Sequence, residues 1–174
     1  MAGGAVAEHN IVLTGFMGSG KSSVGAALAA VLGRRFVDTD AVIAERYGPI
    51  PAIFAEHGEA AFRTREQELA DELAGETALV VSTGGGMLID PAIAERFESS
   101  GRVFCLTASP ATTIARVRAD GIVDRPLLDT ADPEARVAEL LAERSEAYAR
   151  FEAVPTDGRT VAEIVDDILV RIRG

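Results

Sequence analysis

The segment Gly15-Phe16-Met17-Gly18-Ser19-Gly20-Lys21-Ser22 decides how the rest of this chain is read. It fits G-x-x-x-x-G-K-[ST], a loop whose glycines let backbone N–H groups curl around a phosphate. An apolar run at 10–14 precedes it and a helical pattern at 21–32 follows it, the strand–loop–helix setting that the motif requires. The helix N-terminus adds the positive end of its dipole. Lys21 would reach the β- and γ-phosphates of a nucleotide, and the Ser22 hydroxyl would ligate Mg2+. Gly15, Gly18, Ser19, Gly20, Lys21, Ser22 and Ser23 are the candidate phosphate-binding residues. The loop alone does not separate a kinase from a GTPase, an ATPase or a motor.

Outward from the loop, the same alternation continues. Strands are expected at 10–14, 35–38, 79–82, 102–106 and 152–155, with helices at 21–32, 39–47, 59–73, 91–98, 110–119, 133–151 and 161–172. Pro91, Pro110 and Pro133 stand at helix starts, where a missing N–H costs nothing, and Asp90, Ser109 and Asp132 precede them as N-caps. Short apolar strands alternating with helices predict an α/β fold, three-layer α/β/α with a central five-stranded parallel sheet. Ligands of such sheets sit beyond the carboxyl ends of the strands. At 174 residues, with neither repeat nor linker, the chain reads as one domain, 1–174.

Composition narrows the function. Seventeen basic against 27 acidic residues give a net charge of −10, which argues against nucleic-acid and anionic-membrane partners. No run of about 18 apolar residues offers a membrane span, and the first residues lack the charged-then-apolar pattern of a signal peptide. A cytoplasmic protein is expected. The single cysteine, Cys105, lies in Val103-Phe104-Cys105-Leu106. It cannot form an internal disulfide and reads as a buried, inert thiol.

Chemistry-bearing residues gather at strand ends. Asp38-Thr39-Asp40 closes the second strand. In extended backbone i and i+2 share a face, so both carboxylates could enter one cleft, one ordering a metal and its waters, the other accepting a proton from an acceptor hydroxyl. The competing reading is a helix cap at Thr39 or Asp40. Thr83-Gly84-Gly85-Gly86 follows the third strand and allows close backbone approach to a ligand. No acidic residue ends that strand, so the metal carboxylate usual there in GTPases and ATPases is missing, and Asp38 is its replacement.

Arg63 and Glu66 are three apart on a helix and can pair, while Phe54 and Phe62 read as core. The stretch 119–133 carries little regular pattern and reads as a mobile lid, with Arg125 placed to stabilise charge on a transferring phosphoryl group. Arg144 could point into the same cleft, with Tyr148 one turn later. His9 and His57 receive no role, and Asp166 and Asp167 read as the solvated face of the last helix.

Taken in order, Gly15–Ser22, Asp38-Thr39-Asp40, Gly58-Glu59 with Phe62-Arg63-x-x-Glu66, Gly84-Gly85-Gly86, Arg125-Pro126-Leu127-Leu128 and Arg144-x-x-x-Tyr148 resemble the shikimate kinase family. That family is a branch of the nucleoside-monophosphate-kinase-like P-loop fold. The resemblance implies transfer of the ATP γ-phosphoryl group to the 3-hydroxyl of shikimate, a step towards chorismate and the aromatic amino acids, with Mg2+ as cofactor. It implies that Lys21, Asp40 and Arg125 are catalytic and that Ser22 and Asp38 organise the metal. Asp40, Arg63, Gly84, Gly85, Gly86 and Arg144 would form the acceptor site, within a substrate-binding region at 39–75. Arg118 matches the position that stacks on adenine, and Arg125 would close over the phosphates. The small-molecule partners are shikimate and ATP, and the chain is expected to be a monomer. The segment Gly48-Pro49-Ile50-Pro51-Ala52-Ile53-Phe54 departs from the family pattern, with Ala52 where an acid is usual. Glu146 stands where a proline is common. Two other readings stay open: a same-fold kinase for a related polyol acid such as aminoshikimate or gluconate, and a non-catalytic nucleotide-binding homologue. A GTPase is disfavoured by the absence of an Asn-Lys-x-Asp motif.

Overall fold

β1 (Asn10–Thr14) is the middle strand of a five-stranded sheet in a computed structural model that describes residues 9–120 and 130–174. Its neighbours are β3 (Leu79–Ser82) and β4 (Gly101–Thr107), both parallel to it, with Val12 opposite Val81 on one side and Val103 on the other. The edges are β2 (Arg35–Asp38), beside β3, and β5 (Glu152–Pro155), beside β4, both also parallel. The order β2-β3-β1-β4-β5 puts a switch point at β1, because the chain leaves it to one side for β2 and β3 and crosses to the other for β4 and β5. β1 and β3 are buried throughout, including their polar ends Asn10, Thr14 and Ser82, around the apolar runs 11–13 and 79–81. The edge strands are half-exposed.

Side chains alternate across the sheet. Ile11, Leu13, Phe104 and Leu106 face a core made with Val24 and Leu28 of α1 (Lys21–Leu32) and with Ile164, Ile168 and Ile172 of α7 (Val161–Arg173). Val12, Val81, Val103 and Cys105 face the opposite core. That second core is built by α2 (Thr39–Tyr47), α3 (Ile50–Ala74), α4 (Pro91–Ser100), α5 (Pro110–Ala119) and α6 (Pro133–Ala149), through Ile43, Phe62, Phe97, Ile114 and Val137 among others. Three layers and a five-stranded parallel sheet are as the sequence predicts. Asp90, Ser109 and Asp132 each accept a hydrogen bond from a first-turn amide of the helix they precede.

The structure adds two elements. Helix α3 starts at Ile50 rather than 59, and Gly58 interrupts it with φ 81° and ψ 171°. Pro51 falls in its first turn, where proline is compatible with a helix. A 3₁₀ turn at Met87–Ile89 buries Met87 and Leu88 beneath the glycine run. Three expectations are corrected. Phe62 is core, but Phe54 is 38% exposed, its ring 4.9 Å from that of Phe62. Asp167 is not on a solvated face: it pairs with Arg159 at 2.9 Å and Arg171 at 2.7 Å. Asp38 and Asp40 do not share a strand face either, since Asp38 ends β2 as the N-cap of α2 and Asp40 lies in the first turn of that helix. Most of the expected lid, 121–129, including Arg125, lies outside the described residues.

Candidate active site

The loop after β1 turns against the neighbouring strand so tightly that a methyl group at Gly15, φ 138°, would run into the Leu106 carbonyl. Gly20, also at positive φ, then hands the chain to α1. Lys21 folds back over the loop, and its ammonium donates to the Gly15 carbonyl at 2.7 Å and the Phe16 carbonyl at 2.9 Å. Burial pulls its pKa down from 10.5 to about 8, against the opposing charges of Asp40 and Asp38. The Ser19 hydroxyl is buried without a hydrogen-bond partner among the described residues.

Ser22, at the start of α1, donates to Asp38 Oδ2 at 2.6 Å, while Asp38 Oδ1 accepts from the amide of Ala41 at 3.1 Å. One carboxylate thus caps α2 and fixes the hydroxyl of the phosphate loop. Among the described residues no group of three or more His, Cys, Asp or Glu side chains could hold a metal ion. The donor set still fits Mg2+, a hard cation usually held by one or two protein oxygens together with substrate phosphates and water.

Asp40 faces the same cavity as Lys21 and Asp38, a space of about 770 Å³. Burial, then the charge of Asp38, pushes its carboxyl above the usual carboxylate range, and Lys21 and Arg63 pull it back. A raised pKa suits a general base. Gly85 and Gly86 line the cavity opposite. The Gly84 amide donates to the Thr39 hydroxyl at 2.9 Å, which ties the glycine run to the start of α2.

Two arginines flank this end. Arg144 of α6 lines the cavity, its guanidinium 5.1 Å from the centre of the Phe16 ring. Arg63 of α3 lies against Gly86 and donates to Glu66 at 2.6 Å and Glu59 at 3.3 Å. Glu66 is 1% exposed, and burial raises its pKa while Arg63 opposes that shift. The expected Arg63–Glu66 pair is therefore present, and it is buried on the carboxylate side.

The other end of the cavity is walled by Arg116, Asp120, Arg159, Thr160, Val161 and Ile164. Arg116 donates to the Gly18 carbonyl at 3.1 Å and to the Thr156 hydroxyl and carbonyl, each at 2.9 Å, joining the phosphate loop to the turn after β5. Arg159 holds that turn through the Pro155 and Glu163 carbonyls and Asp167. Arg118, two residues after Arg116, is exposed at the end of α5 and is not among the residues that line the cavity.

Of the sequence candidates, Gly18, Ser19, Gly20, Lys21, Ser22, Ser23, Asp38, Asp40, Gly85, Gly86 and Arg144 line this one cavity. Gly15, Arg63 and Gly84 sit directly behind its wall. Sequence reasoning missed Thr39 as a strut, Arg116, and Tyr148 as a donor to the Gly85 carbonyl at 2.6 Å. The Arg144-x-x-x-Tyr148 spacing was the available signal for the last of these.

Residues 17–173 match the family described as shikimate kinase. A shikimate kinase of Geobacter metallireducens is 42% identical over 168 residues, 95% of this chain and 93% of that protein. The structure is similar to that of a shikimate kinase from Acinetobacter baumannii in complex with shikimate, with a TM-score of 0.86 and 36% identity, covering 95% of this chain and 93% of the other. A gluconokinase from Sinorhizobium meliloti gives a TM-score of 0.64 at 22% identity over 95% of this chain and 91% of its own, a likeness of fold alone.

Proposed function

The chain belongs to the shikimate kinase family, and on that basis we propose that it transfers the γ-phosphoryl group of ATP to the 3-hydroxyl of shikimate. The observation that carries this reading is the placement of Asp40 and Lys21 in one cavity, a carboxylate of raised pKa facing an ammonium mounted on the phosphate loop.

The loop 15–22 and the N-terminus of α1 would seat the nucleotide phosphates, with Lys21 turning from the loop carbonyls to the β- and γ-oxygens. Ser22 and Asp38 would hold Mg2+, which supplies charge neutralisation on the phosphates. Arg116 and the turn 156–160 would wall the nucleotide's base side. Arg144 and Arg63 would receive the acceptor's carboxylate, since guanidinium forks match carboxylates. That clamp presents a ring hydroxyl to Asp40, which takes its proton as the oxygen attacks phosphorus. Gly85 and Gly86 let the ring approach the backbone. Arg125 is proposed as a further cation on the transferring group. Phosphoryl transfer depends on such positioning and neutralisation more than on covalent chemistry.

The protein is further read as a cytoplasmic monomer without nucleic-acid or membrane partners. Its charge of −10 and buried thiol support that reading, and no described helix is long and apolar enough to cross a membrane. The deciding experiment is ADP release from Mg-ATP with and without shikimate. Shikimate-dependent turnover establishes the reaction. ATP binding without it, followed by turnover on another acid from a panel of cyclic and sugar acids, overturns the proposed acceptor.

A further inference from the structure

Lys21 is the only lysine in the 174-residue chain; the other 16 basic side chains are arginines. Its Nζ lies within the phosphate loop, 2.7 Å from the Gly15 carbonyl, on the wall of the 770 Å³ cavity. Every other side-chain cation is a guanidinium, which does not form a stable amide under mild conditions. The only side-chain amine therefore sits where a phosphoryl group docks.

We propose that Lys21 is a site of acylation by small acyl phosphates, and that this modification switches the enzyme off. The phosphoryl end of the donor would take the place of a nucleotide phosphate at the start of α1. That docking holds the acyl carbon beside Nζ and makes the reaction effectively intramolecular. The nitrogen lone pair of the free amine attacks the acyl carbon, and a C–N bond forms. The C–O bond to phosphate breaks, and phosphate leaves with its electron pair. The proton lost from nitrogen is taken up by the departing phosphate. An amine and an acyl phosphate thus become an amide and hydrogen phosphate, with no other reactant. The amide nitrogen carries no charge, so the loop loses its cation for the nucleotide.

The inference rests on the phosphate-binding reading of the loop, and the test separates the two. The full chain is incubated with acetyl phosphate, with a neutral acetyl ester, and with acetyl phosphate plus saturating ATP. Acetylation is read by intact mass and peptide mapping, and ATP binding is measured on the same samples. The expected result is one acetyl group on Lys21, formed at least about tenfold faster in the folded chain than in urea and suppressed about tenfold by ATP. ATP binding should fall in step with the acetylated fraction. Acetylation confined to the chain's α-amino group would overturn the proposal. So would equal rates in folded and unfolded chain, or no protection by ATP. If untreated protein binds ATP yet Lys21 stays unmodified, the acylation proposal alone fails. If untreated protein does not bind ATP, the reading of the loop fails with it.

Discussion

Gly84 and Asp40 are in such close apposition that a methyl group on Gly84 would lie 2.6 Å from Asp40 Oδ1. The glycine's role is spatial, for the carboxylate occupies the place of its missing side chain. Gly84→Ala should push Asp40 out of line with the acceptor hydroxyl. We expect kcat to fall about a hundredfold, about 2.7 kcal/mol of barrier, with ATP affinity within twofold of the parent. Steady-state kinetics beside Asp40→Ala check this, and a kcat within about threefold of the parent would show that Asp40 is not held as described.

On the proposed function, Lys21 should set a pH limit on nucleotide binding. Its pKa is lowered to about 8 by burial, and phosphates need the protonated form. Above pH 8 the Kd for ATP should rise about tenfold per pH unit. Lys21→Arg, whose guanidinium does not titrate, should show no such rise. Calorimetric titrations at fixed Mg2+ between pH 7 and 9.5 test this, and a flat Kd in the parent contradicts it. The sign for stability is opposite. Between about 8 and 10.5 the unfolded chain binds more protons than the folded one, so this lysine's contribution to stability rises with pH.

Removing Arg63 should have two separable effects. It takes one clamp from the acceptor's carboxylate, and it leaves Glu66, 1% exposed, without its cation. Arg63→Ala should raise the shikimate KM about a hundredfold and cost about 3 kcal/mol of stability, the penalty of stranding a buried charge. Adding Glu66→Gln should restore most of the thermal stability and none of the KM. If the double variant recovers KM as well, Arg63 does not touch the substrate.

Tyr148 braces the glycine run by donating to the Gly85 carbonyl at 2.6 Å. Tyr148→Phe removes one hydrogen bond, about 1 kcal/mol. The acceptor KM should rise about fivefold while the ATP KM stays constant, because the bond holds the acceptor side of the cavity. An ATP KM that rises equally would place the effect in the fold as a whole.

Cys105 is 1% exposed, and burial pushes its thiol up to about 11. A thiol-disulfide reagent should label it only at the rate of unfolding, and promptly in urea. Stoichiometric labelling of native protein within minutes contradicts this.

The sheet was legible in the sequence because its inner strands are built on short apolar runs, and α4, α5 and α6 because proline and its capping partner mark their starts. The first part of α3 was not, since Pro51 reads equally as loop or first turn until Ile53 is seen buried. The phosphate loop, Asp38 and Asp40 were legible as short local motifs. The two aspartates converge not through one strand face but because one caps α2 and the other lies in its first turn, a geometry that their i, i+2 spacing does not reveal. Arg116 was hidden because its partners, the Gly18 carbonyl and Thr156, lie 98 and 40 residues away in sequence. Thr39 was hidden because its partner is the Gly84 amide, 45 residues away in sequence.

The strand order divides stability from specificity. β1, paired on both sides and buried throughout, belongs to the part of a protein whose amides exchange with solvent only when the whole molecule opens. The loop proposed to hold phosphate is therefore anchored to the most enclosed strand of the sheet. Asp40 follows one rim strand, β2, and the turn 156–160 follows the other, β5, where each strand has a single neighbour and opens more readily. Such a layout lets new acceptors or bases be accommodated by remodelling at the rims while the phosphate grip at the centre stays intact.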